Sequence, residues 1–162
     1  MKQEFCAYVA GLIDSEGCIT VQVHKKSSSY SSVTPWLFIT NTYLPILVKV
    51  QEIFGGNIQT CTKRKEYTKT VYSLYFNGNH AIDLLHSVGK YLRLKTKQMH
   101  LLFKLGKLKN HTKGRNRKSD RYILRQPNEN SNWHVVKAIN PVIIEQEQKI
   151  LLRMRKLNKR GI

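Results

Sequence analysis

Residues 8–17, Tyr8-Val9-Ala10-Gly11-Leu12-Ile13-Asp14-Ser15-Glu16-Gly17, constrain this chain more than any other stretch. Apolar or aromatic residues at Phe5, Tyr8, Val9, Leu12 and Ile13 recur at i, i+3, i+4, i+7 and i+8, the spacing of a one-sided helix. Gly17 is the expected left-handed stop. Ala10 and Gly11 leave almost no side chain at the helix middle, so a second helix, from the same chain or from another copy, can approach closely there. The helix ends in two acids, which meet the negative pole of its macrodipole at a penalty of about 0.3 to 1 kcal/mol each. Two readings of Asp14 and Glu16 stay open. They are solvated caps, or they stand with helix-end carbonyls as oxygen ligands for a hard cation such as Mg²⁺, whose charge reverses the sign of the interaction.

Composition narrows the partner class. The 162 residues are 41% hydrophobic, enough for one globular domain with a real core, and 28 Lys and Arg against 10 Asp and Glu give a net charge of +18. A polyanion is the physical default for such a chain, because each neutralised phosphate releases counterions. Charge alone would suit a ribosomal protein equally well. No stretch approaches the ~18 apolar residues of a membrane span, and the N-terminus lacks a secretory pattern, so the expectation is a protein kept inside a cell or organelle with no membrane partner. The three cysteines, Cys6, Cys18 and Cys61, have no CxxC spacing and read as reduced and structural. None of the six histidines pairs with a cysteine in a zinc-like pattern. With no P-loop and no GxGxxG, a nucleotide cofactor has no support.

Beyond Gly17, Cys18 to His24 alternates as a half-buried strand with Ile19, Val21 and Val23 inward and Thr20, Gln22 and His24 outward. Lys25 and Lys26 lead into a serine-rich turn, 27–32. Residues 35–41 read as a second strand, apolar on both faces and ending at Asn41. A helix from Leu44 to Phe54 carries Pro45 in its first turn and closes at Gly55-Gly56. Residues 57–63 and 70–76 form a hairpin. If Ile58, Tyr72, Leu74 and Phe76 point inward, then Gln59, Cys61, Lys63, Ser73 and Tyr75 line the same outer surface as Gln22. Asn79 caps a short helix through His86. Gly89 to Gln98 is rich in Lys and Arg, and a helix follows from Met99 to Leu108. Asn110 to Arg121 carries no apolar residue and reads as a solvated basic loop whose Lys113, Arg115 and Arg117 would meet phosphates. A final helical region, 135–157, is expected to break at Pro141.

Residues 9–17 resemble the signature of the LAGLIDADG homing endonucleases, with Val9 for the first Leu, Ser15 for the second Ala and Glu16 for the second Asp. The apolar pattern, the small pair and both acids fall in register. Gly89 to Gln98 resembles the family segment in which a lysine, here Lys95, precedes a helix and points into the active site. The order of elements equals the family's αββαββα order, so the resemblance implies an α+β fold whose antiparallel sheet forms a saddle over DNA, followed by C-terminal helices. The chain divides accordingly into a core, 1–108, a basic loop, 109–121, and a C-terminal helical region, 122–162, within one domain.

The resemblance also implies roles. Glu16 and the backbone carbonyl of Ser15 would hold Mg²⁺ or Mn²⁺. Lys95 would offset charge at the phosphate, and Asn41, at a position where the family often has Gln, would hold water. Asp14 is assigned to structure, as a cap at the helix junction. The outer face, with Thr20, Gln22, His24, Lys26, Gln59, Cys61, Lys63, Ser73 and Tyr75, would lie in the major groove, where Gln reads adenine and Lys or His reaches guanine. Arg93 and Lys97 would touch phosphates. A buried cluster or contacts to thymine methyls accounts for Trp36 and Phe38, and burial is the expectation. Only one acidic signature is present, whereas cutting both strands needs carboxylates on both sides of an axis. The expectation is therefore a homodimer packed through Tyr8, Ala10, Gly11 and Ile13, on a long pseudo-palindromic double-stranded DNA site. An intron-encoded, site-specific endonuclease is the leading reading. An intron RNA-binding maturase and a noncatalytic DNA-binding regulator on the same fold are the alternatives.

Overall fold

Helix α1 (Gln3–Glu16) runs without a loop into strand β1 (Gly17–Lys25). The computed structural model describes residues 3–25, 31–61, 69–114, 122–123, 137–138 and 141–159. Gly17 does not stop the helix by a left-handed turn, since the positive-φ glycines are Gly55, Gly56 and Gly78. Its role is steric. A Cβ on Gly17 would lie 2.7 Å from the Ile13 carbonyl oxygen and 2.8 Å from the Ile13 Cα, so the chain turns from helix to strand only with no side chain there. The buried face of α1 is Cys6, Val9, Ala10 and Ile13. This is a helical stripe rotated from the one the apolar spacing marks, and it leaves Tyr8 53% exposed.

Strands β1, β2 (Ser31–Asn41), β3 (Asn57–Cys61) and β4 (Val71–Asn77) form one antiparallel sheet in the order β1-β2-β4-β3. β2 pairs with β1 from Gly17↔Ile39 out to Lys25↔Ser31, but with β4 only from Trp36 to Asn41. The β1–β2 ribbon therefore projects beyond the four-stranded part. Ile19, Leu37, Ile39, Leu74 and Phe76 alternate onto one face and are buried there. α1, α2 (Leu44–Phe54) and α3 (Asn79–Val88) add Val9, Ile13, Leu47, Val50, Leu84 and Leu85 to the same core. Gly55 (φ 73°) and Gly56 (φ 96°) end α2 as the sequence predicts, both in the left-handed region.

A 3₁₀ turn, Gly89–Tyr91, leads toward α4 (Thr96–Gly114). This helix is longer at both ends than its apolar pattern, and residues 110–114, expected as loop, continue it. Tyr122–Ile123 (β5) and Lys137–Ala138 (β6) pair as a small antiparallel ladder, and α5 (Pro141–Leu157) begins at Pro141 rather than breaking there. Proline in a first turn forfeits no helical hydrogen bond. α4 and α5 cover the back of the projecting ribbon through a second cluster of Val33, Leu105 and Ile150. Buried Glu147 on α5 accepts the Val33 N–H at 3.2 Å and pairs with Lys109 at 3.3 Å, while Asn158 Nδ2 donates to the Ile19 carbonyl at 2.9 Å. The ribbon is thus clamped from behind. Among the described residues no helix is long and apolar enough to cross a membrane.

Replacing Gly17 by Ala forces backbone against backbone and is expected to destabilise the fold by about 1 to 3 kcal/mol in urea unfolding. An unchanged midpoint would contradict the close-approach account.

Candidate active site and nucleic-acid face

The two acids that a bare helix end disfavours are treated differently by the fold. Asp14 turns toward the segment before α4, where one carboxylate oxygen accepts the Arg93 and Leu94 amides at 2.7 and 3.2 Å and the other accepts the Lys95 amide at 3.1 Å. It is a structural cap across the helix junction, and it sits beside the positive end of α4. Lys95 returns the link: its Nζ donates to the carbonyls of Ile13 at 2.8 Å and Asp14 at 2.6 Å. A cation thereby takes two of the carbonyls that α1 leaves unpaired. Burial pushes the Lys95 ammonium below the ordinary lysine value, opposed by the charges of Asp14, Cys18 and Glu16.

Glu16 is left exposed at the helix end, with no hydrogen bond or ion pair among the described residues, close enough for Lys95 to feel its charge. Ser15 Oγ folds back onto the Gly11 carbonyl at 3.0 Å and the Leu12 carbonyl at 3.3 Å. The Glu16 carboxylate and the Ser15 carbonyl are hard oxygen donors, the chemistry that suits Mg²⁺ or Mn²⁺. Among the described residues no group of three or more His, Cys, Asp or Glu side chains could hold a metal ion. Asn41 ends β2 just beyond the Gly17↔Ile39 pair, and its Oδ1 accepts the Tyr43 amide at 2.8 Å, closing the turn into α2. That bond orients the side chain and leaves its amide nitrogen and the second lone pair of Oδ1 for solvent.

The sheet face opposite the core is built in cross-strand rows that step away from Glu16, about 7 Å apart. Thr40, Ser73 and Gln59 form the first row, Cys18, Phe38, Tyr75 and Asn57 the second, and Thr20, Trp36 and Asn77 the third. Gln22 with Thr34 and His24 with Ser32 continue along the projecting ribbon. Thr20, Gln22, His24, Gln59, Cys61 and Tyr75 thus share the face the alternation assigns them. Gln22, His24 and Gln59 are exposed on it.

Ser73 lies on this face but is only 3% exposed, locked between Thr40 Oγ1 at 2.9 Å and Cys61 Sγ at 3.3 Å, so it is a sheet tie rather than a groove contact. Trp36 and Phe38 are not in the core. They stand part-exposed on the open face, because Leu37 and Ile39 take the inward positions between and beside them. Simple alternation from Leu37 carried that signal.

Arg93 and Lys97 are exposed at the α1–α4 junction, and Lys97 lines a cleft with His100, Arg153, Lys156 and Lys159 at the end of α5. That cationic end of α5 carried no role in the sequence reading. On α1, Ala10 and Ile13 are 0% exposed in the single chain, packed on its own sheet, and leave no surface for a partner. The exposed stripe is instead Glu4, Tyr8, Gly11 and Ser15, and a Cβ on Gly11 would meet nothing within 4 Å. Lys26, Lys63, Arg115 and Arg117, and the side chain of Lys113, lie outside the described residues.

Removing the Asp14 carboxylate leaves three amides without their acceptor. Asp14→Ala is expected to cost about 2 to 4 kcal/mol of stability by denaturant unfolding, and a loss below about 0.5 kcal/mol would contradict the cap. In NMR titration Lys95 is expected to release its proton at lower pH than the exposed lysines; a midpoint equal to theirs would contradict its burial against α1.

The sequence model of the LAGLIDADG endonuclease family matches residues 9–105, more than half of the chain. No curated protein matches by sequence. Among solved structures, the homing endonuclease I-CvuI in complex with its target DNA is similar at a TM-score of 0.66 and 21% identity, covering 99% of this chain and 85% of that one. The archaeal intron-encoded homing endonuclease I-Vdi141I, complexed with DNA, gives 0.65 and 15% over 99% and 89%. The homing endonuclease I-TnaI gives 0.58 and 16% over 99% and 90%. The open four-stranded antiparallel sheet, the helices behind it and the acidic helix end at Glu16 belong to that architecture, and this chain is a member of the LAGLIDADG endonuclease family.

Proposed function

We propose that the chain is an intron-encoded, site-specific homing endonuclease that acts as a homodimer and hydrolyses both strands of a long, pseudo-palindromic DNA site with a divalent cation. The observation that carries this reading is the division of labour at the end of α1. Asp14 and Lys95 lock the helix end to α4, and Glu16 projects from that fixed point without a partner among the described residues. An exposed carboxylate held on so rigid a base is placed to act on something outside the chain. The DNA-bound structures of I-CvuI, one with Ca and one with Mg and its DNA not cleaved, and of I-Vdi141I support the substrate class, and the I-CvuI pair supports the use of a divalent ion.

The homodimer follows from the incomplete ligand set and from the unpartnered stripe on α1. Tyr8 and Gly11 supply the contact, with Gly11 letting the two backbones approach; Ala10 and Ile13 are reserved for the chain's own core. Two α1 ends side by side bring together two Glu16 carboxylates and two Ser15 carbonyls. A bound Mg²⁺ or Mn²⁺ supplies Lewis-acid activation of water and neutralises the departing 3′ oxygen. The water oxygen bonds to phosphorus as the P–O3′ bond breaks, and the proton released by water ends on that leaving oxygen. Lys95, held by two carbonyls, offers fixed positive charge where the phosphate becomes more negative. Asn41, oriented by its bond to the Tyr43 amide, orders solvent. The open sheet face lies in the major groove, with Gln22, His24 and Gln59 as base readers. Arg93 and Lys97 hold phosphates beside the cut.

A plasmid carrying the uninterrupted insertion site, incubated with Mg²⁺, tests this directly. The wild type is expected to linearise it. Glu16→Gln is expected to bind and to cut slower by on the order of 10²-fold or more, as is Lys95→Met. Gly11→Phe, which meets open space in one chain, is expected to fold normally, sediment as a monomer and lose double-strand cleavage. Binding without cleavage by the wild type under every divalent ion would replace the nuclease reading with that of a DNA-binding regulator.

A further inference from the structure

Trp36, Phe38 and Tyr75 form an aromatic cluster at the centre of the open face. The Tyr75 ring centroid lies 5.6 Å from that of Trp36 and 5.8 Å from that of Phe38, both at 44° tilts. None of the three belongs to either hydrophobic core cluster or packs against one. The rings sit on β2 and β4, the two middle strands, flanked by Cys18 and Thr20 on β1 and by Asn57 and Asn77. All three are part-exposed on a surface that is otherwise polar. Apolar surface held toward water on a binding face gains free energy only when an apolar group covers it. On the floor of a major groove that group is the C5 methyl of thymine.

We propose that this cluster reads thymine methyl groups in each half of the DNA site; the inference rests on the DNA reading above and adds to it which base feature the middle of the sheet recognises. The row positions say where. Phe38 and Tyr75 are in the second row from Glu16 and Trp36 in the third, whereas Gln22 and His24 are in the fourth and fifth. The methyl contacts therefore fall nearer the cut than the hydrogen-bonding contacts of the ribbon. A ring that covers a methyl cannot tell thymine from 5-methylcytosine by that contact, but it separates thymine sharply from uracil, which differs only by the methyl.

The test begins with duplexes enriched on the protein from a randomised library. The enriched site is resynthesised with deoxyuridine replacing thymidine at one position at a time, and Kd is measured for the wild type and for the Trp36→Thr/Phe38→Thr variant. In the wild type, one or two inner positions of each half-site are expected to weaken about fourfold per methyl lost, the equivalent of roughly 0.8 kcal/mol. The variant is expected to bind more weakly and to treat thymine and uracil alike at those positions. A site that binds equally well with uracil everywhere overturns the inference while leaving the DNA reading intact. Methyl sensitivity confined to the outermost positions, or kept by the variant, overturns it as well. A chain that enriches no duplex overturns both.

Discussion

The reciprocal clasp between the end of α1 and the start of α4 is the interaction on which the rest of the site depends. Asp14 gives its carboxylate to three successive amides, and Lys95, from the last of those residues, gives its ammonium back to two carbonyls of α1. Each group sits where the other helix's terminus lacks partners, so a carboxylate and an ammonium that would each cost desolvation alone are satisfied together. Loosening either side would free the helix end that presents Glu16. Chemistry at a phosphate is sensitive to displacements of an ångström, and only a fixed base places a single carboxylate that well.

The sheet divides the molecule into a side that stabilises and an open side to which the proposed function gives recognition. Ile19, Leu37, Ile39, Leu74 and Phe76 face the helices, and the intervening residues face outward with polar and aromatic groups. The β1–β2 ribbon lacks β4 along its outer half, and α4 and α5 replace that support through the Val33–Leu105–Ile150 cluster and the Glu147 carboxylate on the Val33 amide. An edge that would otherwise be free to pair or fray is held by a buried acid. Gln22 and His24 therefore project from a stiffened arm.

Much of this was legible in the sequence because two periodicities, 3.6 and 2, are written clearly in it. The element order, the strand that follows Gly17, the Gly55-Gly56 stop and the outward set on β1 and β3 all follow from spacing alone. The α1 stripe of Phe5, Tyr8, Val9, Leu12 and Ile13 and the buried stripe of Cys6, Val9, Ala10 and Ile13 share Val9 and Ile13 and both satisfy helical spacing, and hydrophobicity ranks the larger residues first. The sheet, however, admits small residues at the crossing, so Cys6 and Ala10 face inward beside Val9 and Ile13, and Tyr8 faces outward. Residue type argues for burial of Trp36 and Phe38, against their own alternation with Leu37 and Ile39. Alternation places Ser73 on the outer face, but its closure by Thr40 and Cys61 is a cross-strand event no single strand encodes. The Glu147–Lys109 tie, between residues on different helices, left no local trace.

The proposed chemistry requires two copies of one exposed acid, each fixed by its own clasp, to meet at a shared cation. Crystals of the protein on its DNA site soaked with Mn²⁺, and measured at the manganese absorption edge, test it most directly. Anomalous peaks are expected between the two α1 ends, within about 2.5 Å of Glu16 oxygens from both chains. Manganese bound elsewhere, or Glu16 side chains facing away from one another and from the phosphates, would contradict it.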